Sequence, residues 1–151
     1  MAVSLRRVPI GGWQRCVHVA ASFESAGEFK AARLLDSSST IEWWLRNDPP
    51  LMKIPTPSGN LEPDFVYQLT TGTRGALEVK GEVFWDGQGS VPRIKSAAAC
   101  AWAAATNIAS GVPGWEFAVV LEQDVLAANT FEELRQLAQE KYPFGDERPG
   151  A

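Results

Sequence analysis

Asp64, Glu78 and Lys80 have the residue types and spacing for metal-assisted chemistry, and the stretch around them predicts how they meet. Residues 64–69 and 76–80 mix β-branched, aromatic and aliphatic side chains, the composition of strands. Thr70-Thr71-Gly72-Thr73-Arg74-Gly75 between them is turn composition, so the two runs read as a hairpin. Alternation puts Phe65, Tyr67, Leu69, Leu77 and Val79 on one apolar face, and Asp64, Val66, Gln68, Ala76, Glu78 and Lys80 on the other. A turn centred on Thr71 opposes Asp64 to Glu78, with Cβ atoms roughly 4.5–5.5 Å apart. Two carboxylates at that separation repel each other unless a cation lies between them. Lys80 supplies one positive charge and a divalent metal would supply the rest. Oxygen ligands with an open position suit Mg²⁺, for which Mn²⁺ can substitute. Such an ion polarises a phosphoryl oxygen and activates water, while a lysine beside it orients that water or offsets developing charge. An isolated Glu-x-Lys is also how a solvated ion pair on an ordinary hairpin reads. Pro63-Asp64 ahead of the first strand, the apolar Leu77-Glu78-Val79-Lys80-Gly81 context and the matching register favour a site. The main-chain carbonyl of Val79 is the expected third ligand.

Pro63-Asp64 followed by Glu78-Val79-Lys80 resembles the signature of the PD-(D/E)XK nuclease superfamily. A longer ordered series is similar to the endonuclease domain of type III restriction enzymes and related helicase-linked nucleases. It comprises Trp43-Trp44-Leu45-Arg46-Asn47, Ile54-Pro55, Pro63-Asp64-Phe65-Val66, Leu77-Glu78-Val79-Lys80-Gly81, and Lys95 followed by Trp102. It covers roughly residues 20–105. The triad alone is a loose pattern, and the ordered series is more specific. The resemblance implies a restriction-endonuclease-like core and metal-dependent hydrolysis of DNA phosphodiester bonds by a metal-activated water. It further implies a helicase or translocase module as partner, in a restriction or DNA-processing system. In that family an acid on the first core helix lies near the metal. Glu28 is the matching candidate and Glu24 the second choice, and both read equally well as solvent-facing helix residues. The family's lysine on the helix after the hairpin is matched by Lys95.

Bulk properties set limits on this reading. At 151 residues the chain is about one domain long, enough to bury a core. Its 45% apolar and 21% charged content is ordinary for a globular protein. A net charge of −4 argues against a freestanding tight DNA binder. It leaves room for a nuclease whose acids a metal neutralises and whose grip on DNA comes from a basic or ATP-driven neighbour. Cys16 and Cys100 have no metal-ligand spacing and make no disulfide framework, so a reducing cytoplasm is expected. Arg6, Arg7, Gln14 and Arg15 interrupt the opening residues, which predicts neither a signal peptide nor a membrane span. No Gly-x-x-x-x-Gly-Lys-Ser/Thr loop is present, so the chain is not itself an ATP-driven motor. Oligomerisation is left open.

In chain order, residues 1–12 read as a loose lead-in, and residues 14–22 alternate as a strand, with Val17 and Val19 opposite Cys16, His18 and Ala20. His18, the one histidine, reads as a packed or surface residue. A helix starts near residues 22–25 and stops at Ser37-Ser38-Ser39. Thr40 reads as the N-cap of a short helix through Ile41, Trp44 and Leu45 to Asn47, broken by Asp48-Pro49-Pro50. Trp43 and Trp44 read as core and shoulder. Residues 51–55 read as a short edge strand. After the hairpin, residues 82–91 form a glycine-rich loop whose Phe84 and Trp85 pack over the core or touch DNA. Pro92 opens an alanine-rich helix to about residue 109, with Ile94, Ala97, Ala98, Ala101, Ala105 and Ile108 towards a sheet. Arg93 and Lys95 at its start, with Arg74, are the candidate DNA-phosphate contacts near the site. Residues 115–122 read as a strand buried on both faces and joined to the hairpin by a βαβ crossover. Thr130-Phe131-Glu132-Glu133 caps a last amphipathic helix to about residue 142. Residues 143–151 read as a flexible tail.

The expected architecture is one α/β domain over residues 1–142, with a mixed central sheet and helices on both sides. The expected activity is that of a Mg²⁺-dependent DNA endonuclease. Two other classes stay open: a catalytically silent nuclease-fold domain that binds nucleic acid or acts as a scaffold, and a phosphoryl-transfer or metal-binding role unrelated to DNA.

Overall fold

Tight local turn chemistry builds the hairpin at the centre of the sheet. A computed structural model describes residues 8–57, 59–81 and 114–141, together with residues 98, 99, 102, 103 and 105. β6 (Phe65–Leu69) and β7 (Arg74–Lys80) pair antiparallel, with Phe65 opposite Leu77 and Val66 opposite Ala76. Gly72 takes φ 94° in the turn, the left-handed region that glycine enters without a Cβ penalty. Leu69 N donates to Thr73 O at 2.8 Å and Gly72 N to Leu69 O at 2.9 Å, closing the turn. The register is the expected one, and one further step along it sets Asp64 against Glu78.

The hairpin lies inside a mixed four-stranded sheet, ordered β3-β6-β7-β8. β8 (Trp115–Leu121) runs parallel to β7, as a crossover connection requires, and six of its seven residues are buried. The expected helix over residues 40–47 is instead the edge strand β3 (Ile41–Arg46), antiparallel to β6. The register shifts between Ile41 and Trp43, a bulge-like irregularity. It brings Ile41 and Trp44, three residues apart, onto the same buried side. That spacing imitates a helix, while the Ile-Glu-Trp-Trp composition suits a pleated surface. Trp44 is fully buried and Trp43 half-buried, in line with core and shoulder.

Helices cover one face and a smaller layer covers the other. α1 (Ala26–Ser37) is capped by Ser25, whose Oγ accepts from Glu28 N at 3.1 Å. α2 (Glu122–Ala127), which the sequence did not suggest, leaves β8 directly. α3 (Phe131–Lys141) starts where the capping pattern placed it, with Glu133 N donating to Thr130 Oγ1. Leu34, Leu35, Val125, Phe131 and Leu134 from these helices pack on Phe65, Tyr67, Leu69 and Leu77. On the opposite face Ile54, Leu61, Ala99 and Ala103 pack on Ala76, Phe117, Val119 and Leu121. Residues 98, 99, 102, 103 and 105 are helical, and Ala99 and Ala103 are the buried pair. The contact face is therefore rotated from the expected one, since Ala98 is only half-buried and Ala105 is exposed.

Other expectations shift at their edges. Residues 14–22 are mostly irregular: Cys16 bridges to Trp44, and β2 (Ala20–Ala21) pairs with β1 (Ile10–Gly11) inside the supposed lead-in. Val17 and Val19 are both exposed, so neither reaches the core. The edge strand near residue 51 is β4 (Ile54–Thr56), which forms its own two-stranded sheet with β5 (Gly59–Leu61). The loop with Phe84 and Trp85, the start of the alanine-rich helix with Arg93 and Lys95, and residues 143–151 lie outside the described residues. No helix among the described residues is long and apolar enough to cross a membrane.

Candidate active site

The site is built where β3 ends, β6 begins and β7 ends. Asp64 immediately precedes β6, so its side chain stands at the rim of the sheet and meets groups from both faces. Its Oδ2 accepts from Val79 N at 2.8 Å, and its Oδ1 from Arg46 Nη1 at 3.3 Å. Glu78 comes from the opposed position on β7 and is 4% exposed. Lys80, two residues on and on the same strand face, places Nζ 3.1 Å from Glu78 Oε1. The three residues expected to act together do lie together.

The electrostatics are those of a cluster of acids short of positive charge. Burial, then the neighbouring Asp64 charge, push the Glu78 carboxyl from 4.5 up to about 8, against the pull of Lys80. Burial also raises Asp64, although the Val79 N–H and the Arg46 guanidinium oppose it. The Asp64 carboxyl beside it further favours the protonated Glu78. Glu78 Oε2 is buried with no hydrogen-bond partner among the described residues. A buried carboxylate oxygen without a donor costs free energy unless it is protonated or bound to a cation.

These observations fit a hard divalent cation. Asp64 and Glu78 offer carboxylate oxygens, and a main-chain carbonyl such as that of Val79 would complete a set that Mg²⁺ accepts. Among the described residues no group of three or more His, Cys, Asp or Glu side chains gathers as a metal site. Asp64 and Glu78 are two candidate donors among the described residues, not a full cage. Mg²⁺ usually keeps waters and binds through one or two carboxylates plus substrate phosphates.

Glu28 reaches this region indirectly. The Ser25 cap puts it in the first turn of α1, and its Oε1 is ion-paired with Arg46 Nη2, in a geometry that makes no hydrogen bond. Arg46 in turn holds Asp64, so Glu28 is linked to Asp64 through a guanidinium. Burial and then the Asp64 charge raise Glu28 from 4.5 to about 7, with Arg46 opposing. Glu24 is exposed at the start of the same region. Arg74 is not beside the acids, as expected, but opens β7 at the turn end. Glu78 is four residue steps along the strand, about 13 Å at 3.3 Å per residue, and Arg74 Nε donates to Gln68 Oε1 at 3.2 Å. His18 is half-buried and joins no group around the acids.

Sequence reading missed Arg46 and Asn47 as parts of the site, because it placed them at the end of a helix. Asn47 N donates to Asp64 O at 2.9 Å, and Asn47 Nδ2 donates to Pro63 O at 2.8 Å. The signal available was Arg-Asn directly after an apolar run, a polar pair too short to be a face of its own. A separate cavity of about 590 Å³ lies between residues 10–15 and α1, lined by Trp13, Arg15, Phe29, Arg33 and Asp36 among others. None of Asp64, Glu78 and Lys80 lines it, and Asp36 there already accepts from Gln14 N, Arg15 N and Trp44 Nε1. Comparison with protein-family models, curated proteins and solved structures gave no match to this chain.

Proposed function

We propose that this chain is the nuclease module of a DNA-processing or restriction system, with a restriction-endonuclease-like core, and that it hydrolyses DNA phosphodiester bonds with Mg²⁺ or Mn²⁺. The observation that carries the reading is the pairing of half-buried Asp64 with buried Glu78, with Lys80 3.1 Å from Glu78 and Glu78 Oε2 left without a donor. Its support from the sequence is the order Pro63-Asp64, Glu78-Val79-Lys80 and the resemblance that order carries. A bound divalent ion would polarise a phosphodiester oxygen and activate a water for attack. Asp64 and Glu78 would hold the ion, helped by the Val79 carbonyl. Val79 N fixes one Asp64 oxygen and Arg46 steadies the other. Lys80 orients the attacking water or offsets charge on the phosphate, and no side chain needs to form a covalent bond with the substrate.

A second reading, a scaffold domain without turnover, is favoured by the net charge of −4, which disfavours a close grip on phosphates. One assay separates the two. Supercoiled plasmid incubated with the purified chain and Mg²⁺ or Mn²⁺ is expected to be nicked slowly. Chelator should stop the reaction, and Lys80→Ala should slow it by about 100-fold or more, the scale of lost acid–base or charge-stabilising groups. Intact plasmid under every metal condition supports the scaffold.

A further inference from the structure

Arg46 is the buried group that neither the triad nor the metal accounts for. It is 7% exposed and held on several sides. Nε donates to Ser22 O at 3.3 Å, Nη1 donates to Asp64 O at 2.8 Å and Asp64 Oδ1 at 3.3 Å, and Nη2 pairs with Glu28. Its guanidinium carbon lies 5.4 Å from the centre of the Phe65 ring. A guanidinium has five donors in a fixed fork, so these contacts lock its orientation where a lysine could meet only some of them.

From this geometry we infer that Arg46 is a positioning residue for the cation site. It fixes the Asp64 main chain and ties α1, through Glu28, to the first metal ligand. The inference rests on the reading of Asp64 and Glu78 as cation ligands. Distance decides between positioning and mere charge balance. Arg46 holds the Asp64 carbonyl at 2.8 Å but its carboxylate at only 3.3 Å. The short bond goes to the backbone, and the longer one leaves Oδ1 the less tightly held of the two oxygens. Asn47 completes the clamp by donating its main-chain N–H to the same Asp64 carbonyl at 2.9 Å. Two donors on one carbonyl set the direction in which the side chain leaves the chain.

The two roles predict opposite signs. A positive charge that only balanced the acids would compete with an incoming cation, so its removal would tighten metal binding. A positioning group loosens binding when it is altered, as partners behind metal ligands do by about 10–100-fold. The test is calorimetric titration of Mn²⁺ into the wild type, Arg46→Lys and Arg46→Gln, with thermal melting of each metal-free protein. Arg46→Gln strips two buried carboxylates of their counter-charge and is at risk of unfolding, so Arg46→Lys, which keeps the charge and loses the fork, is the deciding variant. The expected result is a melting temperature for Arg46→Lys close to the wild type, with Mn²⁺ affinity at least about tenfold weaker. Unchanged affinity in Arg46→Lys, or tighter binding in a folded Arg46→Gln, overturns the positioning role while leaving the metal site standing. A wild type that takes up no Mn²⁺ overturns both.

Discussion

At the level of single residues, the informative groups are acids held away from their ordinary protonation. The Glu78 carboxyl is raised to about 8 and the Glu28 carboxyl to about 7, both from 4.5. In each case the folded state binds the proton more tightly than the unfolded chain does. Between roughly pH 4.5 and 8 the unfolded chain has released protons that the folded chain retains, so stability falls as pH rises through that window. Each group contributes a slope of at most about 1.4 kcal/mol per pH unit. Glu132, lowered by Ser38 and Thr40, acts in the opposite sense and only on the acid side of the window. Metal-free protein melted from pH 5 to pH 8.5 should therefore lose stability steadily. Glu78→Gln should flatten the decline and gain on the order of 1 kcal/mol at pH 8, because its neutral amide no longer faces Asp64. A wild-type melting temperature that climbs over the same range would remove the case for strained acids.

Among the elements, what could be read in advance was what is local. The β6–β7 hairpin needed only alternation, a glycine able to take positive φ and a run of threonines, so its register and the meeting of Asp64 with Glu78 were legible. β3 was not, because the shift after Ile41 places core residues at helical spacing. Nor could the Tyr67–Glu116–Arg135 network be read, since its members come from β6, β8 and α3. Tyr67 OH donates to Glu116 Oε1 at 2.8 Å, and Arg135 grips both Glu116 oxygens at 2.8 and 2.7 Å. That network holds the Tyr67 ring over Gly75 on the neighbouring strand. A Cβ at Gly75 would lie 2.0 Å from Tyr67 Cζ, and the ring is also packed against Phe131, so it has little room to retreat. Gly75→Ala should cost about 1–3 kcal/mol in urea unfolding, the range for overpacking. No loss would mean that Tyr67 is far freer than its hydrogen bond implies. α1 meets α2 by the same kind of close approach: Gly27 N donates to Glu122 Oε1 at 3.0 Å, where a side chain on Gly27 would collide.

For the whole molecule, the fold brings Asp64, just before β6, and Glu78 and Lys80, at the end of β7, to one end of the sheet, with the N-terminus of α1 beside them. Net charge sets what this end can do unaided. Non-specific DNA affinity comes from cations on phosphates, and a chain at −4 has few to spare. Efficient cleavage is therefore expected of a larger assembly with a basic or ATP-driven module, and the chain alone should be slow. The arrangement of acids is independent of that partner and can be tested without DNA. Mn²⁺ is titrated calorimetrically into the wild type and into the double variant Asp64→Asn/Glu78→Gln, both shown to be folded by their melting. The proposal expects one Mn²⁺ bound by the wild type, with proton release near neutral pH because raised carboxyls must ionise to bind it, and no binding by the double variant. Equal Mn²⁺ binding by both proteins, or none by the wild type, would contradict a metal site at Asp64 and Glu78.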